Sequence, residues 1–475
     1  MLRGALPGWP DPPEPEDRPW PGRPATGNAD RLITDFRDHK LGVMGRGTPA
    51  VVVLGALAIL VASCSPASSS SALTLSQACA GASPGCGSSV SSATDIAKDH
   101  WSSIADAPLA ARTEQATVWT GKLMIVWGGL ASVPPTPGAS QYEPPVYGDG
   151  AALDPRTRIW RVLPPSPLAP RADATAVWDG QDMIIWGGQG GGSQTNTDFA
   201  DGASYDPANH RWKMLPPGPL SARSGATAFW TGSQVLILGG YDDNTGLGLV
   251  NGATYDPKTG HWQLLPKLPS TSGLYTPPHG STATVTPGGT NVTWTGSQVL
   301  AWPYYQVQSN APNRSLTDVE QNLSWTPGSS HWVTHHTNPA GLAQVAITFW
   351  TGSQVLFFPP DGWWCPIGAL CAAPLPNEPV PIQSYDPATG RWPTLAGSVV
   401  LEGAGPFIWT GRAVVAINNG AAVFDVARDR WLSLPSYPYG GVAAEEADSA
   451  VWTGSSLIVW GGGGEGRPNH GAILS

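Results

Sequence analysis

The chain is short of charge, of cysteine and of long apolar runs. Only 13% of its 475 residues are charged, and the balance is acidic, with a formal net charge of −10. An acidic chain without a basic stripe in its sequence is a poor nucleic-acid binder, so no nucleic-acid partner is expected. The longest apolar stretch, from Ala50 to Ser63, is about 14 residues. A membrane-spanning helix needs ~20, so this stretch does not read as one. There are five cysteines, none in Cys-x-x-Cys spacing and none with neighbouring histidines, which removes the usual zinc signatures. No phosphate-binding loop or hydrolase elbow occurs either. No cofactor, metal or catalytic residue is therefore expected.

What the chain does contain is a repeat. The stretch from Arg223 to Trp262 shows it most fully: RSGATAFWTGSQVLILGG, a polar loop, then NGATYDPKTGHW. Short β-branched and aromatic runs bounded by Gly, Pro and Asp read as strands. The unit predicts strand A ending at Trp230, strand B ending at Gly239, strand C ending at Tyr255 and strand D starting near Trp262. Trp-x-Gly recurs at Trp119, Trp178, Trp230, Trp294, Trp350, Trp409 and Trp452, seven copies spaced 43 to 64 residues apart. Gly-Gly follows nine residues later at Gly128, Gly187, Gly239 and Gly461. Asp-x5-Trp follows at Asp154, Asp206, Asp256, Asp386 and Asp425, and Thr326 to Trp332 keeps the spacing. Four strands per unit at this period predict an all-β, seven-bladed β-propeller. The seventh copy has no Asp-x5-Trp of its own, whereas Asp95 to Trp101 supplies one near the other end. The expectation is that this N-terminal strand closes the last blade, leaving the ring without a long open edge.

The apolar strand before Gly-Gly, the Tyr-Asp-Pro turn, the Trp six residues after that Asp, and Pro-Leu-x-x-Arg leading into the next blade resemble the kelch-repeat family. The resemblance covers roughly Asp95 to Ser475. It implies a propeller like the central domain of the galactose oxidase-like proteins. It departs in blades 4 to 6, where Pro303-Tyr304, Pro359-Pro360 and Asn418-Asn419 replace Gly-Gly. The copper radical site of galactose oxidase needs two Tyr, two His and a Tyr–Cys crosslink, and no such set is recognisable here. In the quinoprotein propellers the Trp lies further beyond the Asp, which sets that alternative aside.

Ahead of the repeats, residues 1–43 are Pro-rich and charged and read as a disordered leader. Residues 44–63 have the shape of a signal peptide, and Met44 reads as the start. Val61-Ala62-Ser63-Cys64 resembles a bacterial lipobox, which implies lipidation of Cys64 and an extracytoplasmic, membrane-anchored lipoprotein. Residues 64–94 form a flexible Ser/Ala linker, and 95–475 the propeller. Cys79 with Cys86, and Cys365 with Cys371, are spaced as local disulfides would be in an oxidising compartment.

Connectivity separates the two faces of the propeller. Tight A–B and C–D turns share one face, while long B–C loops and the D–A connections share the other. The long-loop face is the expected binding face. Strand A is innermost, so its entrance borders the channel mouth. Seven residues before each strand-A Trp stand Arg112, Arg171, Arg223, Pro287, Ala343, Glu402 and Glu445. One reading is a polarised Arg/Glu mouth that orients a carboxylate-bearing or sugar-like ligand. The other is that each Arg ties its loop to backbone, or to Glu114 and Asp173. Trp363 and Trp364 are the only tryptophans after the leader that the repeat does not require. They read either as ligand contacts held by a Cys365–Cys371 ring or as a lid on blade 5.

The expected function is a lipid-anchored binding module that takes a protein or glycan on its long-loop face. The alternatives are a sugar-active enzyme of epimerase or lyase type, working at the Arg/Glu mouth, and a structural envelope protein.

Overall fold

The A–B hairpin shows how each repeat makes its strands. In blade 3, Thr227–Trp230 pairs antiparallel with Val235–Leu238. The Thr231 hydroxyl donates to the Gln234 carbonyl at 2.9 Å and accepts from the Gln234 amide at 3.0 Å, closing the turn. Gly232 follows at φ 95°, with nothing within 4 Å of where its Cβ would stand. Backbone conformation alone therefore demands glycine there. At the C–D turn, the Asp256 carboxylate accepts the Lys258 amide at 2.9 Å, an Asx turn. Bonding to Thr259 holds that carboxyl below its ordinary range.

The computed structural model describes residues 91–131, 145–191, 197–272, 274–275, 282–309, 316–337, 346–358, 380–399, 407–417, 421–438, 449–461 and 470–475. Seven antiparallel sheets of these residues stand in a ring, each in the order A-B-C-D, beside three two-stranded sheets. Blade 1 is Ala116–Trp119, Met124–Trp127, Gly150–Asp154 and Ile159–Val162. Blade 2 is Thr175–Trp178, Met183–Trp186, Gly202–Asp206 and Arg211–Met214. Blade 3 adds Gly252–Asp256 and His261–Leu264 to the hairpin above. Blade 4 has a longer inner hairpin, Ala283–Trp294 with Val299–Ser309, followed by Asn322–Trp325 and Val333–His335. Leu316–Glu320 adds a fifth strand along the Val299–Ser309 extension. Blade 5 is Ile347–Trp350, Val355–Phe358, Val380–Tyr385 and Thr394–Val399. Blade 6 is Phe407–Trp409, Ala413–Ile417, Ala421–Asp425 and Arg430–Ser433.

Blade 7 joins the two ends of the described chain. Ser449–Trp452, Leu457–Trp460 and Gly471–Leu474 supply strands A to C, and Trp101–Ser103 supplies strand D. Trp101 pairs with Leu474, Ser102 with Ile473 and Ser103 with Ala472. Asp95, however, does not occupy the C–D turn. It lies in a short helix, Ala93–Ile96, where it forms a capping box with Ser92. Two chain segments meet at this turn, so no continuous backbone exists for an Asx turn to close. Ser475 and His100 instead exchange backbone hydrogen bonds at 3.2 Å. Ala93 and Ile96 are buried against blades 6 and 7.

The core is divided among the seams between blades. Val118, Ile125 and Trp127 of blade 1 pack with Ala176, Met183 and Tyr205 of blade 2, and the clusters of the other six seams follow the same plan. The strand-D Trp crosses the seams in two ways, except in blade 6, where the indole N–H of Trp431 is buried without a hydrogen-bond partner among the described residues. Its ring meets a bulky side chain of the preceding blade: Trp212 lies on Trp127, Trp262 on Trp186, and Trp160 on Trp460. Its indole N–H donates to a carbonyl just past the preceding blade's strand D: Trp212 to Pro164, Trp262 to Pro216, Trp332 to Pro266, and Trp101 to Pro435, all at 2.8–3.0 Å. The closing strand therefore makes the same seam contact as the others. Each such hydrogen bond contributes about 1 kcal/mol, and the ring's burial several times that.

Candidate functional site

The long-loop face starts from the arginines, and their side chains turn inward. Arg112, Arg171 and Arg223 are at most 1% exposed. Arg112 donates to the carbonyls of Ala110 at 2.9 Å and Gly128 at 3.0 Å, and pairs with Asp149 at 2.8 Å. Arg171 repeats this with Ala169, Gly187 and Asp201. Arg223 reaches Ser221, Gly239 and the Asn251 carbonyl without a carboxylate, and burial pulls its pKa down to about 10. Tyr147 and Phe199 lie 4.1 Å and 3.9 Å from the guanidinium carbons of Arg112 and Arg171. Each guanidinium thus binds the base of its own blade's B–C loop.

Gly-Gly completes the same device. The Gly129 amide donates to the Arg171 carbonyl and the Gly188 amide to the Arg223 carbonyl, both at 2.9 Å. A Cβ on Gly128 would stand 2.7 Å from the Arg171 carbonyl oxygen, so the next blade's backbone occupies that space. Arginine and Gly-Gly form one stitch, which binds a loop within its blade and, in blades 1 and 2, binds that blade to the next, whereas blade 3 shows the within-blade half. The three arginines are not brought together. Each lies in its own seam, and neither Glu114 nor Asp173 appears among their hydrogen-bond or ion-pair partners.

Two carboxylates stand just before strand A in blades 1 and 2. Glu114 and Asp173 follow the arginines by two residues and lead into strand A. Their φ angles are 55° and 52°, left-handed values that cost a side-chain-bearing residue roughly 1 kcal/mol or more. Blade 3 places Gly225 there at φ 59°. The Asp173 amide donates to the Glu114 carbonyl at 2.9 Å, and the Gly225 amide to the Asp173 carbonyl at 3.1 Å. Three adjacent blades are thereby linked around the channel entrance.

Two B–C hairpins bring further carboxylates to this arc. Gln189–Gly190 pairs with Thr197–Asp198, and Tyr241–Asp242 with Leu247–Gly248. The Asp243 amide donates to the Asp198 carboxylate at 2.8 Å, joining the loops of blades 2 and 3. Asp198 is 8% exposed. Burial, followed by the side-chain hydrogen bond with the Asp243 carboxyl and the charges of Asp243 and Asp242, pushes its pKa up to about 7, although the Asp243 amide bond acts the other way. Burial also raises Glu114, with Asp243 adding repulsion. Beside them the Tyr241 and Tyr304 hydroxyls lie 3.4 Å apart. Among the described residues, no three or more His, Cys, Asp or Glu side chains are arranged to hold a metal.

Glu402, Glu445, Trp363, Trp364, Cys64, Cys79, Cys86, Cys365 and Cys371 lie outside the described residues. The sequence reading named Glu114 and Asp173 only as partners for arginine. It missed Asp198, Asp242 and Asp243, which lie in loops that carry no repeat spacing. The available signal was the fixed offset of Glu114 and Asp173 from strand A. A shallow concavity of about 610 Å³ lies elsewhere, at the outer strands of blades 4 and 5 beside His336, Arg391 and Trp392. No family model matches the chain, and no curated protein matches it.

Proposed function

We propose that this protein is a kelch-type propeller that acts as an extracytoplasmic binding module, anchored through a lipid on Cys64, and that it binds a protein or glycan at the mouth on its long-loop face. The observation carrying this reading is the carboxylate arc Glu114, Asp173, Asp198, Asp242 and Asp243, held in place by the stitches of blades 1–3. Carboxylates beside tyrosine hydroxyls suit the hydroxyl groups of a sugar or the cationic side chains of a protein. Preorganised loops lower the ordering cost of binding. The arginines hold the loops, and the half-buried Asp242 and Asp243 meet the ligand.

A glycan array and a lysine/arginine-rich peptide panel, probed with wild type and with Asp242→Asn/Asp243→Asn, test this. Specific binding by the wild type, lost in the variant at unchanged melting temperature, is the expected result. Binding to neither panel, or binding that survives the double change, overturns it. Anchoring is tested separately: Cys64→Ala should release the protein from the membrane fraction. If the loop at Trp363 and Trp364 contributes contacts, changing both to Ala weakens binding without loss of stability.

A second reading, a sugar-active enzyme of epimerase or lyase type, draws on Asp198. A carboxyl that keeps its proton near neutral pH beside a second carboxyl is suited to general acid–base work. Turnover of a sugar substrate that disappears in Asp198→Asn would favour it.

A further inference from the structure

We propose that the outer edge of blades 1–3 is a docking surface for an anionic lipid bilayer. The argument starts from the register of strand D. Two residues after the strand-D Trp, the side chain is exposed in all seven blades. Blades 4 to 7 fill that position with Thr334, Thr394, Ser433 and Ser103. Blades 1, 2 and 3 fill it with Val162, Met214 and Leu264, which are 61%, 43% and 52% exposed. The preceding position carries exposed Arg161 in blade 1 and exposed Lys213 in blade 2, and no cation in any other blade. Arg-Val and Lys-Met therefore stand at identical places on adjacent blades, and Gln263-Leu264 continues the apolar row.

An open sheet edge is ordinarily protected by charge, which would explain the cations alone. It does not explain the apolar residues, because a protective edge would carry the Ser and Thr of the other four blades. Exposed apolar side chains beside cations with long aliphatic stems match the boundary between acyl chains and anionic headgroups. A peptide strand would add to one edge only, whereas a lipid surface can meet neighbouring edges together. The charge is local and opposes the whole: the chain is acidic overall, at −10. The fold assembles this row from segments about 50 residues apart, so no basic run appears in the sequence. The surface lies on the outer strands rather than at the mouth, and the proposal does not depend on acylation of Cys64.

The test uses the full chain carrying Cys64→Ser, so that no acyl group contributes. Flotation with phosphatidylcholine vesicles, with and without phosphatidylglycerol, reads the bound fraction. Binding should require phosphatidylglycerol and weaken as salt is raised. Arg161→Gln/Lys213→Gln should reduce it by about fivefold for each cation removed. Val162→Ser/Met214→Ser/Leu264→Ser should also reduce it. Arg430→Glu, on the outer strand of blade 6, should leave it unchanged. These positions are exposed, so melting temperature should stay within a few degrees of wild type. Equal binding to both vesicle types, or full binding by the Arg161/Lys213 variant, overturns the proposal. So does capture of an acidic protein or nucleic acid through these residues without vesicle binding. Loss of mouth binding in Asp242→Asn/Asp243→Asn leaves this result untouched, so the two readings fail separately.

Discussion

Blades 1–3 and blades 4–6 reach the same sheet by different means. The first three carry arginine seven residues before the strand-A Trp and Gly-Gly after strand B, and the structure joins the two into a stitch of buried hydrogen bonds. Blades 4–6 have Pro287, Ala343 and Glu402 in place of arginine and no Gly-Gly after strand B. Their seams rely more on aromatic packing. Trp302 meets Phe357 edge-on at 4.8 Å, and Phe358 lies 5.2 Å from Phe407. Blade 4 also extends its inner hairpin to 12 and 11 residues and adds a strand. The strand-D Trp is common to both groups. It carries the seam, while the stitch fixes the loops, and the loops it fixes are those that bear the carboxylates. Stability is shared around the ring, whereas placement of the mouth is concentrated on one side.

The comparison can be broken most severely at the join between its two ends. Deleting residues 91–105 removes strand D of blade 7 and leaves Gly471–Leu474 as an open edge. The expected outcome is aggregation during size-exclusion chromatography and loss of a cooperative melt. Next in size is a matched pair, Trp212→Ala in blade 2 and Trp392→Ala in blade 5. Each should cost about 3–5 kcal/mol in denaturant unfolding, and the two should agree within about 1 kcal/mol, because both groups of blades use this residue alike. A large gap between them would show that the seams are not equivalent.

Arg171→Met should follow, at about 3 kcal/mol, since it leaves the Gly187 and Asp201 carbonyls and the Asp201 carboxylate without their cation. It should also loosen the blade 2 B–C loop, seen as faster amide exchange at Phe199, while exchange in blade 5 stays unchanged. The smallest effect concerns pH. Asp198 binds its proton more tightly folded than unfolded, so its contribution to stability is largest below about pH 4 and falls as pH rises to about 7. Asp198→Asn should remove that part of the slope, measured as denaturation midpoints across the range.

Most of the architecture was legible because it depends on spacing. Trp-x-Gly, Gly-Gly and Asp-x5-Trp are imposed by turn geometry and by a ring that must cross each seam, so they recur in register. The closing strand was legible for the same reason. The error at Asp95 shows the limit of spacing: the residue has the right offset from Trp101, yet a break in the backbone gives it another role. The site was harder to read. Arg112, Arg171 and Arg223 left two readings open, a charged mouth or ties to their own loops, because sequence places a side chain at an entrance without its direction. Their joint occurrence with Gly-Gly in blades 1–3 was the available clue that they are structural. Asp198 and Asp243 meet only because two loops of different length fold toward each other, and no repeat encodes that encounter.

Ring closure underlies every position assigned above, and one cross-link tests it directly. Ser102 and Ile473 stand opposite each other in the closing pair, 371 residues apart in the chain. Directly paired strand residues have Cα atoms about 4.5–5.5 Å apart, within the range a disulfide spans. In Ser102→Cys/Ile473→Cys, mild oxidation should join these two residues within a single molecule, as read by peptide mapping, with no loss of melting temperature. Failure of the two cysteines to join in the folded protein, or their joining only between molecules, would contradict the closed seven-bladed ring.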